Sequence, residues 1–169
     1  IMKEEIKATL GLVVGLPLTR TTRAANMECL KFGTHLSNVK DEGPLNIGEF
    51  GLHLQCPWRI TKGKGILIGS DDVYEQPDQN RRYDPDYDWD KNLNLRDKKL
   101  NELIQAYRLI IQQIEADEFG GFEIEFNDDF RLTAFPAISL KAEYWRLLDN
   151  RPTKAKHFVL GREGIWESE

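Results

Sequence analysis

The chain has 169 residues, an ordinary globular share of apolar side chains and a net charge of −5, which suits one domain with a sizeable core. Mild acidity argues against a nucleic-acid partner, which needs clustered Lys and Arg, and no apolar run is long enough to span a bilayer. The two cysteines, Cys29 and Cys56, lack CxxC spacing, so they supply no zinc framework and fit a reducing compartment. No basic segment followed by an apolar one begins the chain, and the expected location is cytoplasmic.

The first predicted element is an amphipathic helix over Met2 to Leu12, with Ile6 and Leu10 four apart on one side. Gly15 and Pro17 end it. Strands are expected over Leu16 to Ala24 and Asn26 to Gly33, the second with Glu28, Leu30 and Phe32 on one face and Met27, Cys29 and Lys31 on the other. Thr34 to Asn46 shows little periodicity and reads as a loop. From Ile47 to Thr61 the alternation is unbroken: Phe50, Leu52, Leu54, Cys56, Trp58 and Ile60 share one parity, while Glu49, Gly51, His53, Gln55, Arg59 and Thr61 share the other. This is the main half-buried strand, and Pro57 requires a bend or a sheet edge within it. After a Lys62–Gly65 turn, Ile66 to Ile68 return as its partner, and Gly69-Ser70-Asp71-Asp72 closes the pair.

Glu75 to Lys91 carries two prolines and dense charge, which predicts an exposed loop. Asn94 caps a predicted helix from Leu95 to about Ala106, with Leu100, Leu103 and Ile104 facing the core. Tyr107 to Ala116 reads as a strand, though a longer helix would accept it too. Phe122 to Ala134 is a hairpin around Asn127-Asp128-Asp129. Glu143 to Leu148 and His157 to Gly161 are the last strands, with Gly164-Ile165-Trp166 closing the ordered chain.

The halves echo one another. Pro57-Trp58-Arg59-Ile60 resembles Tyr144-Trp145-Arg146-Leu147, Ile66–Gly69 resembles Phe158–Gly161, and Phe50-x-Leu52 resembles Phe130-x-Leu132. The expected fold is a single α+β domain over 2–166, mainly antiparallel sheet with two short helices. An internal repeat of 2–74 and 95–166, a helix plus four strands each, is joined by an acidic loop at 75–94.

Asp84, Asp86, Asp88 and Asp90 alternate with Pro85, Tyr87 and Trp89. A calcium loop would need Gly and a bidentate Glu where Trp89 and Leu95 stand, so no metal site is expected. With Tyr83, these residues suit a basic protein partner, because aromatics anchor interfaces and opposite charge speeds encounter. The alternative is an enzyme or small-ligand binder on the polar face of the main strand, using His53, Arg59 and Asp72. A His beside a carboxylate can act as a base, but no nucleophile accompanies it. Neither reading calls for a cofactor, and no catalytic residue is assigned. GxxxxGK[ST], HExxH and GxSxG do not occur.

Gly48-Glu49-Phe50-Gly51-Leu52-His53-Leu54-Gln55-Cys56-Pro57-Trp58-Arg59, together with Gly15-Leu16-Pro17-Leu18, Arg23–Met27 and Gly69–Asp72, resembles a group of small uncharacterised bacterial proteins. That likeness implies a recurring bacterial domain and transfers no activity. In size and charge the chain is also similar to toxin-immunity proteins, which implies a toxin-like basic partner for the acidic loop.

Overall fold

The computed structural model describes residues 2–39 and 41–168. Its elements, in chain order, are α1 (Met2–Leu10), β1 (Leu18–Ala24), β2 (Met27–Phe32), β3 (Leu36–Val39), β4 (Gly43–Asn46), β5 (Phe50–Leu54), β6 (Trp58–Lys62) and β7 (Gly65–Gly69). The second half supplies α2 (Leu95–Ala106), β8 (Ile111–Ala116), β9 (Phe122–Phe126), β10 (Phe130–Ala134), β11 (Glu143–Asp149), β12 (Lys156–Gly161) and β13 (Gly164–Ser168). This is an α+β fold, mainly antiparallel sheet with two helices.

The strands form a six-stranded sheet in the order β1-β2-β5-β11-β12-β13, a five-stranded sheet β7-β6-β10-β9-β8, and the small hairpin β3-β4. The main sequence pattern runs through both large sheets. Phe50, Leu52, Leu54, Cys56, Trp58 and Ile60 are all buried. They do not form one strand, however: the chain breaks at Gln55–Pro57, β5 pairs with β2 and β11, and β6 pairs with β7 and β10. A chain that crosses between facing sheets keeps the same parity inward, so the alternation continues through a change of sheet.

Both sheets are composites. The meander β1-β2-β5 is continued by β11 and β12, and the meander β8-β9-β10 by β6 and β7. Registers correspond from the first hairpin to the strand that joins the two meanders. Leu30 faces Leu52 where Ile124 faces Leu132, and Leu52 faces Leu147 where Leu132 faces Ile60. Each first hairpin carries a bulge at the same place, between Leu18 and Arg20 and between Ile111 and Gln113. The later hairpins are offset: Ile60 faces Ile68, whereas Leu147 faces Phe158, so Ile68 stands level with Phe158 rather than with Leu160. Val73-Tyr74 lies in a 3-10 turn, whereas Ile165-Trp166 lies in β13.

Two further expectations are corrected. The segment read as a loop, Thr34 to Asn46, contains β3 and β4, fastened by Asn46, whose Oδ1 accepts from the His35 and Gly48 amides while its Nδ2 donates to Thr19. Gly48 turns the chain from this hairpin into β5 at φ +75°, where a Cβ would come 2.7 Å from the Phe50 carbonyl oxygen. Beyond Gly161 the chain forms β13, paired along β12 from Gly164 to Ser168.

The core lies between the large sheets. Trp145 is fully buried, stacked edge-on to Phe122 at 5.4 Å, and its indole N–H donates to the Gly120 carbonyl at 2.9 Å. α1 closes the core against β8 and β13, and α2 against β1 and β7. Asn94 caps α2 as expected: its side chain accepts from the Asp97 amide at 3.0 Å, and the Asp97 carboxylate returns to the Asn94 amide. Leu100 and Leu103 are buried, and Ile104 packs at the margin of the core. Among the described residues, no helix is long and apolar enough to cross a membrane.

Candidate functional site

The elements carrying the most unusual chemistry meet at one end of the core. Glu28 faces Leu54, and Leu54 faces Trp145. In the other sheet Phe122 faces Ala134, and Ala134 faces Trp58. Glu28 therefore occupies the position that Phe122 holds at the opposite end. There an aromatic ring meets Trp145, whereas here the Arg96 guanidinium lies over the Trp58 ring at 5.4 Å.

Arg96 and Glu28 are each 1% exposed. Arg96 Nη1 donates to the Ser70 carbonyl and Nη2 to the Asn26 carbonyl, both at 2.9 Å. Nη2 also comes 3.0 Å from Glu28 Oε2, but that oxygen and Arg96 Nε have no aligned hydrogen bond. Burial pushes the Glu28 carboxyl up to about 7, against the pull of Arg96. A polar cleft of about 130 Å³ adjoins the pair, lined by Gln55, Ser70, Asp71, Tyr74 and Arg96 among others.

The segment from 75 to 94 is fixed to this end. Arg23, directly across from Glu28 on β1, reaches into it. Its Nε meets both Asp97 oxygens at 3.0 and 3.1 Å, and Nη1 meets Asp90 Oδ1 at 3.1 Å. Nη2 donates to the carbonyls of Trp89, Asp90 and Asn92. The Trp89 ring stacks edge-on to Tyr74 at 5.0 Å, the Tyr87 hydroxyl donates to the Leu93 carbonyl, and the buried Asn94 holds the Trp89 carbonyl. Asp84 and Asp88 accept amides two residues ahead, and Gln76 spans the loop to Arg81, Arg82 and Asp84.

Residues proposed from sequence for a partner surface thus divide. Trp89, Tyr87 and Asp90 are anchors; Asp88 serves its own turn and pairs with Lys91. Tyr83, at 74% exposure, stands out with Asp84 and Asp86. Beside them a cavity of about 390 Å³ opens between Pro77, Arg81, Arg82, Asp84, Tyr87 and Leu93.

The alternative trio is dispersed. His53 lies on the outward face of the six-stranded sheet, while Arg59 is exposed on the outward face of the other. Asp72 folds back on the Gly69 amide and approaches Lys99 at 3.7 Å. Burial, followed by nearby Lys31 and Arg146, pulls His53 down to about 4, so it is neutral at pH 7 and a weak base. Cys56 is buried with its thiol pushed up to about 12. Among the described residues, no group of three or more His, Cys, Asp or Glu side chains gathers as a metal site would. The alternation puts Glu28 on the same face as Leu30 and Phe32, without saying that this face is the inner one; Arg23 and Arg96 carry no local signal.

Compared with protein families, curated proteins and solved structures, the chain matches none of them.

Proposed function

We propose that the protein is a non-catalytic binding module whose 75–94 segment docks a basic protein partner. One observation carries this reading: a long irregular segment is held in a fixed shape from inside while Tyr83, Asp84 and Asp86 stay exposed on its outer side. Loops of this length without regular structure are uncommon in compact domains and tend to be functional. Preordering such a surface lowers the entropy cost of binding. The segment has six carboxylates against three cations, so it carries −3 of the chain's −5. Tyr83 offers an aromatic anchor, Asp84 and Asp86 supply charge, and the neighbouring cavity can admit a side chain. A toxin-like basic protein is the partner class this charge suits.

The test uses Tyr83→Ala combined with Asp84→Asn and Asp86→Asn, because substitutions at Tyr87 or Trp89 would disturb the anchors as well. Basic proteins retained by immobilised wild-type protein are identified and their affinities measured by calorimetry at two salt concentrations. The expected result is a partner whose affinity falls with salt and drops more than about tenfold in the triple variant, with the variant's stability unchanged. A partner that binds wild type and triple variant equally would refute the loop as the docking surface.

A further inference from the structure

The far edge of the six-stranded sheet carries a second and unrelated feature. Arg23 ties the 75–94 segment to β1, and β13 lies at the other end of the strand order. Cross-strand partners share a face, so Trp166 stands on the outward face beside Val159, which is level with Arg146 of β11. The benzo edge of its indole lies over Gly161: a Cβ there would come 3.0 Å from Trp166 Cζ3 and 3.2 Å from Cη2. It would also come 2.9 Å from the Ala142 carbonyl oxygen, so glycine is what lets ring and backbone approach this closely. Trp166 is 47% exposed, and no other ring stacks on it among the described residues.

A cavity of about 570 Å³ opens beside this ring, lined by Trp166, Ile165, Lys141, Arg162, Glu163 and Glu143 among others. Small-molecule sites are ordinarily about 300–1,000 Å³. Both signs of charge are available in it. Among the described residues, the Lys141 ammonium and the Glu163 carboxylate make no hydrogen bond or ion pair. Arg162 is tethered through Nη1 to the Ser139 carbonyl at 3.2 Å, which leaves its other nitrogens to donate elsewhere. Glu143 is already gripped by Arg146 Nε and Nη2 at 2.9 and 3.0 Å, so that pair adds no net charge. Glu5 of α1 reaches the cavity's margin at Gly164, its Oε2 3.5 Å from where a Cβ would stand.

We infer that this cavity binds a free aromatic α-amino acid. The ligand's ring packs on the exposed indole, its carboxylate meets Lys141 and Arg162, and its ammonium meets Glu163. The charges decide the class. A purely anionic aromatic ligand would bring its charge against Glu163 and Glu5, and a purely cationic one against Lys141 and Arg162. An uncharged ring would leave both signs without a partner. A zwitterion that carries a ring answers all three features at once.

The backbone amides of Gly161 and Gly164, which both line the cavity, report occupancy by NMR during titration with L-phenylalanine at pH 7 and constant ionic strength. Three further probes each lack one feature: L-alanine the ring, N-acetyl-L-phenylalanine the ammonium, and L-phenylalaninamide the carboxylate. L-phenylalanine is expected to shift both amides saturably, with each of the other three at least about tenfold weaker. Trp166→Leu removes the stacking surface and Glu163→Gln the charge that meets the ammonium, and each is expected to weaken L-phenylalanine about tenfold. Arg59→Met, on the opposite sheet, is expected to change nothing. The site is overturned if L-phenylalanine gives no saturable shift, or if any of the three other probes binds as tightly. It is equally overturned if Trp166→Leu and Glu163→Gln both bind like wild type, or if Arg59→Met weakens binding as much as they do.

Discussion

Replacing Glu28 by Gln asks whether the buried Glu28–Arg96 contact stabilises the fold. Its carboxyl is pushed from the ordinary 4.5 to about 7, chiefly by burial, with Arg96 opposing. The sign follows from linkage. As pH rises through this interval the unfolded chain releases the proton first while the folded chain retains it, so folded wild type loses stability until pH passes about 7. The interval is worth about 3 kcal/mol. Gln is nearly isosteric with the protonated acid, can turn its amide oxygen to Arg96, and does not ionise. Glu28→Gln is therefore expected to match wild type near pH 4 and to exceed it by about 3 kcal/mol at pH 8. Urea denaturation of both proteins at pH 4, 6 and 8 measures this, and the difference cancels titrations the two share. If the ion pair instead outweighs burial, the variant would be the less stable at pH 8, by about 3–5 kcal/mol for a stranded buried charge, and the reasoning would fail.

Arg23→Ala removes the side chain holding Asp97, Asp90 and three loop carbonyls, and is expected to cost about 2–3 kcal/mol. Trypsin should then cut faster at Arg81, Arg82 and Lys91, so unchanged cleavage would contradict the anchoring. Cys29 and Cys56 are buried with raised thiol pKa values, so Ellman's reagent at pH 8 should find neither thiol in native protein and both in denaturant. Trp145→Ala empties a fully buried site between the sheets and is expected to cost about 3–5 kcal/mol by urea denaturation.

Strand alternation made much of this fold readable, because each face of a half-buried strand leaves its own residue type. It puts Glu28, Leu30 and Phe32 on one face, which the structure buries, and it locates the hairpin around Asn127–Asp129, where Asp128 and Asp129 take positive φ. It could not show that β5 and β6 enter different sheets. Pro57 signals an interruption, but the partner of β5 on that side is β11, some ninety residues away. The β3-β4 hairpin escaped detection because Leu36 is 63% exposed and its strands bury too little to enforce an alternation. The candidate site was legible in part for the same reason. The acidic loop showed in composition, but its anchors depend on Arg23, and no local rule links residue 23 to residues 89–97.

Those anchors explain why one end of the core is charged. The opposite end shows what an ordinary solution looks like: the Phe122 ring edge-on to Trp145. At the Glu28 end Arg96 and Glu28 are taken out of water together, with the partly buried pair of Arg23 and Asp97 beside them. Desolvation makes such an arrangement a poor source of stability, and apolar replacements often serve as well or better. What the charges provide is position. Arg23 and Glu28 face each other across β1 and β2, while Arg96 and Asp97 adjoin in the first turn of α2, so the pairs join that turn to the hairpin. Arg96 also fixes the carbonyls of Ser70 and Asn26, and Arg23 those of Trp89, Asp90 and Asn92. Every one of these bonds ends at the base of the 75–94 segment or beside it. A hydrophobic end could pack as tightly, but without directed donors it would leave that segment unoriented, and orientation is what the docking surface proposed above would require.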